Sequence, residues 1–142
     1  VLLLFGGGLT MASVLQSTGA AALVGAQAKV LAGLGDVTMI AGIATLVTFA
    51  TEVTSNTALA ATMMPLIAAV ADALKMDASA LLMATALAAS CAFMMPVATP
   101  PNAIVFGTGR LHIGDMVKAG FWLNVLGVVI ITCVLLVYQM FT

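Results

Sequence analysis

Long apolar stretches separated by short polar segments make up most of the chain. The last stretch, from Met116 to Phe141, is almost wholly apolar, and a helix needs about 20 such residues to cross the hydrocarbon of a bilayer. Trp122 stands near one end of the stretch and Tyr138 near the other, which is typical of aromatic anchors at the two membrane interfaces. The pattern therefore predicts a transmembrane helix.

A second apolar stretch, Asp77 to Val97, is rich in Ala, Leu and Met and leads into PVATPPNA, where three prolines fall close together. Proline removes a backbone donor and disfavours helix at the residue before it. We therefore expect the helix to end near Ala98 and Thr99, and a shorter helix to run from Ala103 to about Gly109. The two pieces predict one discontinuous membrane helix with its break at depth.

Two further apolar arms, Val37 to Val53 and Ala58 to Leu74, lie on either side of the polar residues Thr54 to Thr57. Each arm has about 17 residues and is marginal for a complete crossing. If the charged outer ends of both arms stay in one interface, the arms form a re-entrant helical hairpin whose polar tip lies inside the membrane. If each arm crosses once, the polar residues lie in water, and length alone leaves both arrangements open.

The first part of the chain is apolar up to the glycines at 6–8 and then mixes polar with apolar residues. It predicts the end of a membrane helix followed by a helix lying along the interface. The fold expected is therefore all-α integral membrane, divided into segments 1–36, 37–76, 77–109 and 110–142. Because the chain opens on Val1 in an apolar run, we interpret it as a fragment of a larger protein.

Composition supports a bilayer as the solvent of the chain. Hydrophobic residues make up 63% and charged residues 6%, against about 25% charge in a soluble domain, and the mean hydropathy is +1.26. The net charge is -1 and the four cations lie far apart, so no basic surface indicates a nucleic-acid partner. An enzyme is disfavoured because the sequence pairs no nucleophile with a base and groups no metal ligands.

Breaks at membrane depth persist only where they face protein or a water-filled cavity. Two breaks in one short chain therefore indicate one shared cavity. Hydroxyl and amide groups of Ser55, Asn56 and Thr57, with Thr99 and Asn102 from the second break, are neutral oxygen ligands that suit a hard monovalent cation. A helix begins after each break, and helix N-termini with unsatisfied N–H groups favour an anion.

No Lys or Arg lies within either break, so a bound multivalent anion needs charge balance from another source. A co-bound cation supplies that balance. It raises the affinity for the anion by the same factor by which the bound anion raises the affinity for the cation. Glu52, an acid at membrane depth, has two interpretations. It is either a proton or cation site, or a buried acid satisfied by a backbone amide or a neighbouring hydroxyl.

The segments TEVTSNTALAATMMPL and SCAFMMPVATPPNAIVFGTG resemble the C-terminal half of the divalent anion:sodium symporter family, which moves dicarboxylates, citrate or sulfate with Na⁺. The resemblance implies one half of an inverted-repeat transporter, with the Ser-Asn-Thr motif at a re-entrant hairpin tip. It implies that Ser55, Asn56, Thr57 and Thr99 contact the substrate carboxylates and that Pro100 shapes the loop. It also implies one sodium surrounded by Thr51, Thr54, Asn56 and Ala98, with Thr54 and Ala98 acting through backbone carbonyls.

The same resemblance implies a function and partners. The function is sodium-coupled symport of divalent anions such as C4-dicarboxylates, with Na⁺ as the coupling ion. The full-length protein is expected to be a multi-pass homodimer in the lipid bilayer of the inner or plasma membrane, working by an elevator motion. Two alternatives stay open: a proton-coupled or other-anion carrier of related fold that uses Glu52, and a membrane subunit that does not transport.

Overall fold

The regular secondary structure of the part of the chain that the structure describes is all helical, with no strand. The computed structural model describes residues 35–141 and isolated positions among the first 34, namely residues 6, 10, 13, 14, 17–19, 23 and 33. The end of a membrane helix and the interfacial helix expected in segment 1–36 therefore lie largely outside the described residues. The helices of the described part are α1 (Asp36–Thr51), α2 (Asn56–Leu74), α3 (Ala78–Ala88), α4 (Pro100–Gly107) and α5 (Ile113–Met140).

Two of these helices are long and apolar enough to cross a membrane. They are α2, with 19 residues, and α5, with 28 residues. At about 1.5 Å per residue, α5 is about 42 Å long, which exceeds the roughly 30 Å of bilayer hydrocarbon. It begins a few residues before the Met116 expected from hydropathy, so the sequence located this helix but not its first turn.

Helices α1, α3 and α5 pack against one another, and α2 packs on α3. Ala80, Ala84 and Ala88 form a fully buried row along α3, four residues apart and hence on one face. Such small side chains let helix backbones approach closely. Larger side chains of α1 and α5 fill the remaining space, and the buried ones include Ile40, Val47, Ile131 and Leu135.

The break between α3 and α4 is wider than the sequence predicts. Helix α3 ends at Ala88 instead of near Ala98, so residues 89–99 are not helical. Part of the reason is Pro96, whose ring is incompatible with the preceding helical turn. The rest is competition, because the amides of residues 93–95 and the carbonyls of Ala92 and Met95 bond to side chains from other elements.

Helix α4 begins at Pro100, three residues before the predicted Ala103. Proline suits the first position of a helix, where its missing N–H would be unsatisfied in any case. Thr99, in extended conformation, is the N-cap and its side chain accepts from the amide of Asn102. Pro100 and Pro101, which the sequence placed in the break, therefore begin the next helix.

The connection between α1 and α2 lies two residues earlier than the polar cluster that marked it. Only residues 52–55 are outside the two helices, so Asn56 and Thr57 belong to the first turn of α2. At its other end α2 closes on Lys75, which has φ 54° and ψ 40° in the left-handed region. The polar residues of the tip thus divide between a turn and a helix start.

Candidate functional site

The α1–α2 connection and the segment before α4 line one open cleft of about 500 Å³. The lining includes every residue named for substrate or sodium contact except Thr51 and Asn102, and none of the nine lining residues is ionisable. The structure thus brings together two segments that lie some 40 positions apart in the sequence. The lining residues are Val53, Thr54, Ser55, Asn56, Thr57, Val97, Ala98, Thr99 and Pro100.

Thr51 lies beneath this cleft and is fully buried. Its hydroxyl oxygen is 2.6 Å from Oδ1 of Asn56 and 3.2 Å from the carbonyl oxygen of Ala89. A hydroxyl carries one hydrogen, so the shorter contact is the better hydrogen bond. Two neutral oxygens, one from each end of the connection, therefore lie side by side.

The side chain of Thr54 is engaged within its own neighbourhood. Its hydroxyl donates to the carbonyl oxygen of Ala50 at 2.8 Å. For a ligand in the cleft, Thr54 retains its backbone carbonyl and the lone pairs of its hydroxyl.

The first turn of α2 presents backbone donors to the cleft. Ser55 is its N-cap in extended conformation, but the side chain of Ser55 makes no capping hydrogen bond. The first intrahelical bond runs from the amide of Leu59 to the carbonyl of Ser55, so the amides of residues 56–58 precede the ladder. With the exposed Ser55 and Thr57, this end offers several donors to an anion.

The first turn of α4 is different. Pro100 and Pro101 have no N–H, the amide of Asn102 donates to Oγ1 of Thr99 at 3.4 Å, and the amide of Ala103 donates to the carbonyl of Thr99. The sequence predicts unsatisfied amides at both helix starts: the start of α2 has them, whereas the start of α4 does not. Among the lining residues of this wall, Thr99 carries the one side-chain donor.

Asn102 supports the break instead of lining the cleft. Its Nδ2 donates to the carbonyls of Ala92 and Met95 at 3.1 and 3.0 Å. These are backbone groups that the early end of α3 leaves without a helical partner. The sequence placed Asn102 among the ligand groups, whereas in the structure its amide bonds the break and Asn102 is absent from the cleft lining.

Glu52 is buried, with 4% of its surface exposed, and its carboxylate faces the break rather than the cleft. Oε1 accepts from the amides of Phe93 at 2.7 Å and Met94 at 2.9 Å, and Oε2 accepts from Met94 at 3.0 Å and Met95 at 2.9 Å. Nδ2 of Asn124 donates to Oε1 at 2.7 Å. Successive amides around one anion form a backbone nest, so this is the buried acid satisfied by backbone amides.

Comparison with known proteins settles the family. The sodium:sulfate symporter transmembrane region matches residues 1–141 of the chain. The chain belongs to the sodium:sulfate symporter family. This confirms the resemblance that the two motifs carry.

Curated members of this symporter family include close relatives of the chain. The sodium-dependent dicarboxylate transporter SdcS of Staphylococcus saprophyticus is 45% identical over 138 residues, which cover 97% of the chain and 26% of that protein. The protein of the same name from Staphylococcus aureus (strain USA300) is 44% identical over 138 residues, which again cover 97% of the chain and 26% of that protein. The chain thus spans about a quarter of the length of these relatives, and both are named for transport rather than catalysis.

Two residues that the sequence did not single out contact the break. Asn124 is fully buried on α5 and donates to Glu52, and Gly120 lies against the backbone of Phe93 and Met94. A signal for Asn124 exists, because an amide stands alone in an otherwise apolar run. Gly120 gives none, because glycine is common in membrane helices.

Proposed function

We propose that this chain is part of the C-terminal half of a sodium-coupled symporter that carries divalent anions such as C4-dicarboxylates. The observation that carries the proposal is the cleft, where the Ser-Asn-Thr tip meets the Thr-Pro start of α4 without an ionisable lining residue. An anion in such a site depends on a co-bound cation for charge balance. The names of the two staphylococcal relatives support sodium and a dicarboxylate as the pair.

Sodium is proposed to bind between Thr51, Thr54, Asn56 and Ala98. The contact between Thr51 and Asn56 supports this, because it already gathers two neutral oxygens at 2.6 Å. The carbonyls of Thr54 and Ala98, both in the cleft lining, complete a set of hard oxygen donors of the kind that alkali and alkaline-earth cations prefer.

The substrate carboxylates are proposed to bind on the open side. Ser55, Asn56 and Thr57 contribute hydroxyl, amide and backbone N–H donors at the start of α2, where the helix dipole favours negative charge. Thr99 contributes its hydroxyl from the opposite wall, and Pro100 fixes the backbone there. Bound sodium and bound anion then each raise the affinity for the other by the same factor.

In the membrane, segment 37–76 is proposed to be a re-entrant hairpin, segment 77–109 a broken helix and α5 within segment 110–142 a full crossing. The exposed aromatic side chains of α5 support this: Trp122 and Tyr138 are 70% and 38% exposed and lie about 24 Å apart along the helix. We further propose that the full-length protein is a multi-pass homodimer of the inner or plasma membrane that moves by an elevator mechanism. The second inverted repeat is then supplied outside this chain.

The test is uptake by the full-length protein in proteoliposomes. We expect accumulation of labelled succinate, citrate or sulfate under an inward Na⁺ gradient and none when choline replaces Na⁺. Protein-free liposomes are the control. Equal uptake with choline would contradict sodium coupling, uptake that follows an imposed proton gradient would identify a proton-coupled carrier, and lack of uptake of all three anions would favour a subunit that does not transport.

A further inference from the structure

We propose that Asn124 and Gly120 of α5 are positioning residues for the cleft. They act through Glu52 and the backbone of residues 93–95, and they set the affinity for sodium and anion without touching either. This inference rests on the proposed function. It assigns the last helix of the chain a role in the binding site in addition to crossing the membrane.

The first step is the bond network around Glu52. Its carboxylate is the common acceptor for three consecutive amides of the break and for the side chain of Asn124. Three separate elements therefore meet at one charged group: the end of α1, the break and α5. Hydrogen bonds to a charged acceptor in a buried place are stronger than those between neutral groups.

Gly120 provides a second contact between α5 and the break. A Cβ on this residue would be 2.3 Å from the carbonyl oxygen of Phe93 and 2.6 Å from Cα of Met94. These are backbone atoms, so a side chain would displace the break itself. Gly120 and Asn124 are four residues apart and lie on one face of α5, where one allows close approach and the other supplies the hydrogen bond.

Asn124 is satisfied on its donor side only. Its Nδ2 bonds to Glu52, whereas its buried Oδ1 has no partner within the described part of the chain. An apolar side chain of similar size would fill the same space without leaving an acceptor unpaired. The contribution of Asn124 therefore lies in one N–H donated to the carboxylate, and not in packing.

The network is close to both walls of the cleft. Val53 to Thr57, which form one wall, directly follow Glu52, and Val97 to Pro100, which form the other, begin two residues after Met95. A shift of residues 93–95 relative to Glu52 therefore separates the two walls. Because sodium and anion each contact both walls in the proposed site, such a shift weakens the binding of both.

The experiment measures half-saturating concentrations of Na⁺ and succinate for uptake by the full-length protein in proteoliposomes, with rates normalised to reconstituted transporter. Asn124→Asp retains the shape but replaces the amide donor with a second carboxyl group against Glu52, whereas Asn124→Leu removes both the donor and the unpaired acceptor. We expect both variants, and Gly120→Ala, to raise the two half-saturating concentrations about tenfold with a smaller effect on the maximal rate.

Matched controls lie on the same helix. Thr132 is buried, but its hydroxyl donates within α5 to the carbonyl of Val128, and a Cβ on Gly127 would meet only Cys91 Sγ at 3.6 Å and its Cβ at 3.9 Å. Thr132→Val and Gly127→Ala are expected to leave both concentrations within about twofold of the unmodified protein. Hydrogen–deuterium exchange over residues 91–99 gives a readout that needs no transport. Exchange there should rise in the Asn124 and Gly120 variants and stay unchanged in the controls.

Unchanged half-saturating concentrations in the Asn124 variants, with a transporting parent protein, would overturn this inference and leave the proposed function standing. A lower maximal rate with unchanged half-saturating concentrations would also overturn this inference, because it indicates loss of folded protein instead of altered site geometry. A parent protein without sodium-dependent uptake would refute the proposed function, and with it the positioning role.

Discussion

The hydroxyl of Thr51 donates to Oδ1 of Asn56 across the connection between α1 and α2, at 2.6 Å. One residue ends the first helix and the other begins the second, so this bond ties the two helices together at their connection. It also fixes which way Asn56 points, with its oxygen toward the end of α1. The side chains at the two ends of the polar turn therefore hold each other in place.

Thr51→Val is expected to raise the half-saturating Na⁺ concentration for uptake about tenfold, because it removes an oxygen and the bond that orients Asn56. Thr51→Ser retains the hydroxyl and should stay near the unmodified value. Thr45→Val on the same helix is the control, since the exposed Thr45 hydroxyl donates only to the carbonyl of Ala41. The measurement is Na⁺-dependent succinate uptake, and a similar response of Thr51→Val and Thr45→Val would contradict the assignment.

Asn56→Ala is expected to abolish Na⁺-dependent uptake. The change removes a side chain that contacts both ions in the proposed site and the acceptor for Thr51. The measurement is uptake under a Na⁺ gradient, with the amount of variant in the membrane determined separately. Normal uptake by a well-expressed variant would refute the position of the site.

Thr99→Val is expected to raise the half-saturating succinate concentration about tenfold at saturating Na⁺, because it removes the one side-chain donor at the start of α4. Thr99→Ser should retain most of the affinity. Thr108→Val serves as the control at the other end of α4, where the hydroxyl of Thr108 donates to the carbonyl of Val105. If the two Val variants bind succinate equally well, Thr99 does not contact the anion.

Glu52→Gln is expected to lower the free energy of unfolding by about 2–4 kcal/mol, because an amide nitrogen would replace an oxygen that accepts backbone N–H groups. The measurement is thermal unfolding of the purified full-length protein in detergent, compared with Asp115→Asn at the exposed start of α5. A variant of unchanged stability that loses only its response to a proton gradient would instead identify Glu52 as a proton site.

Asn102→Asp is expected to destabilise the protein by about 2–3 kcal/mol. A carboxylate cannot donate to the carbonyls of Ala92 and Met95, which Asn102 bonds at 3.1 and 3.0 Å, and it would repel them. Faster hydrogen–deuterium exchange over residues 91–99 should accompany the loss. Exchange identical to that of the unmodified protein would show that the break is held without Asn102.

Most of the residues that line the cleft could be predicted from the sequence, because short runs of neighbouring residues mark them. A polar run between apolar arms marked residues 54–57, and closely spaced prolines marked Thr99 and Pro100. The early end of α3 was not predictable in this way, because the amides of residues 93–95 leave the helix for a carboxylate more than 40 residues earlier. Asn124 was missed because a single amide side chain in an apolar helix is equally consistent with a hydrogen bond that only joins two membrane helices.

The start of α2 has amides outside the helical ladder, whereas Pro100 and Pro101 at the start of α4 have none. Amide donors are common to all residues except proline, so in the proposed site the attraction of this helix start for an anion does not depend on which side chains stand there. On the opposite wall, the hydroxyl of Thr99 is the one side-chain donor among the lining residues. A substitution at position 99 is therefore expected to alter which anion is preferred.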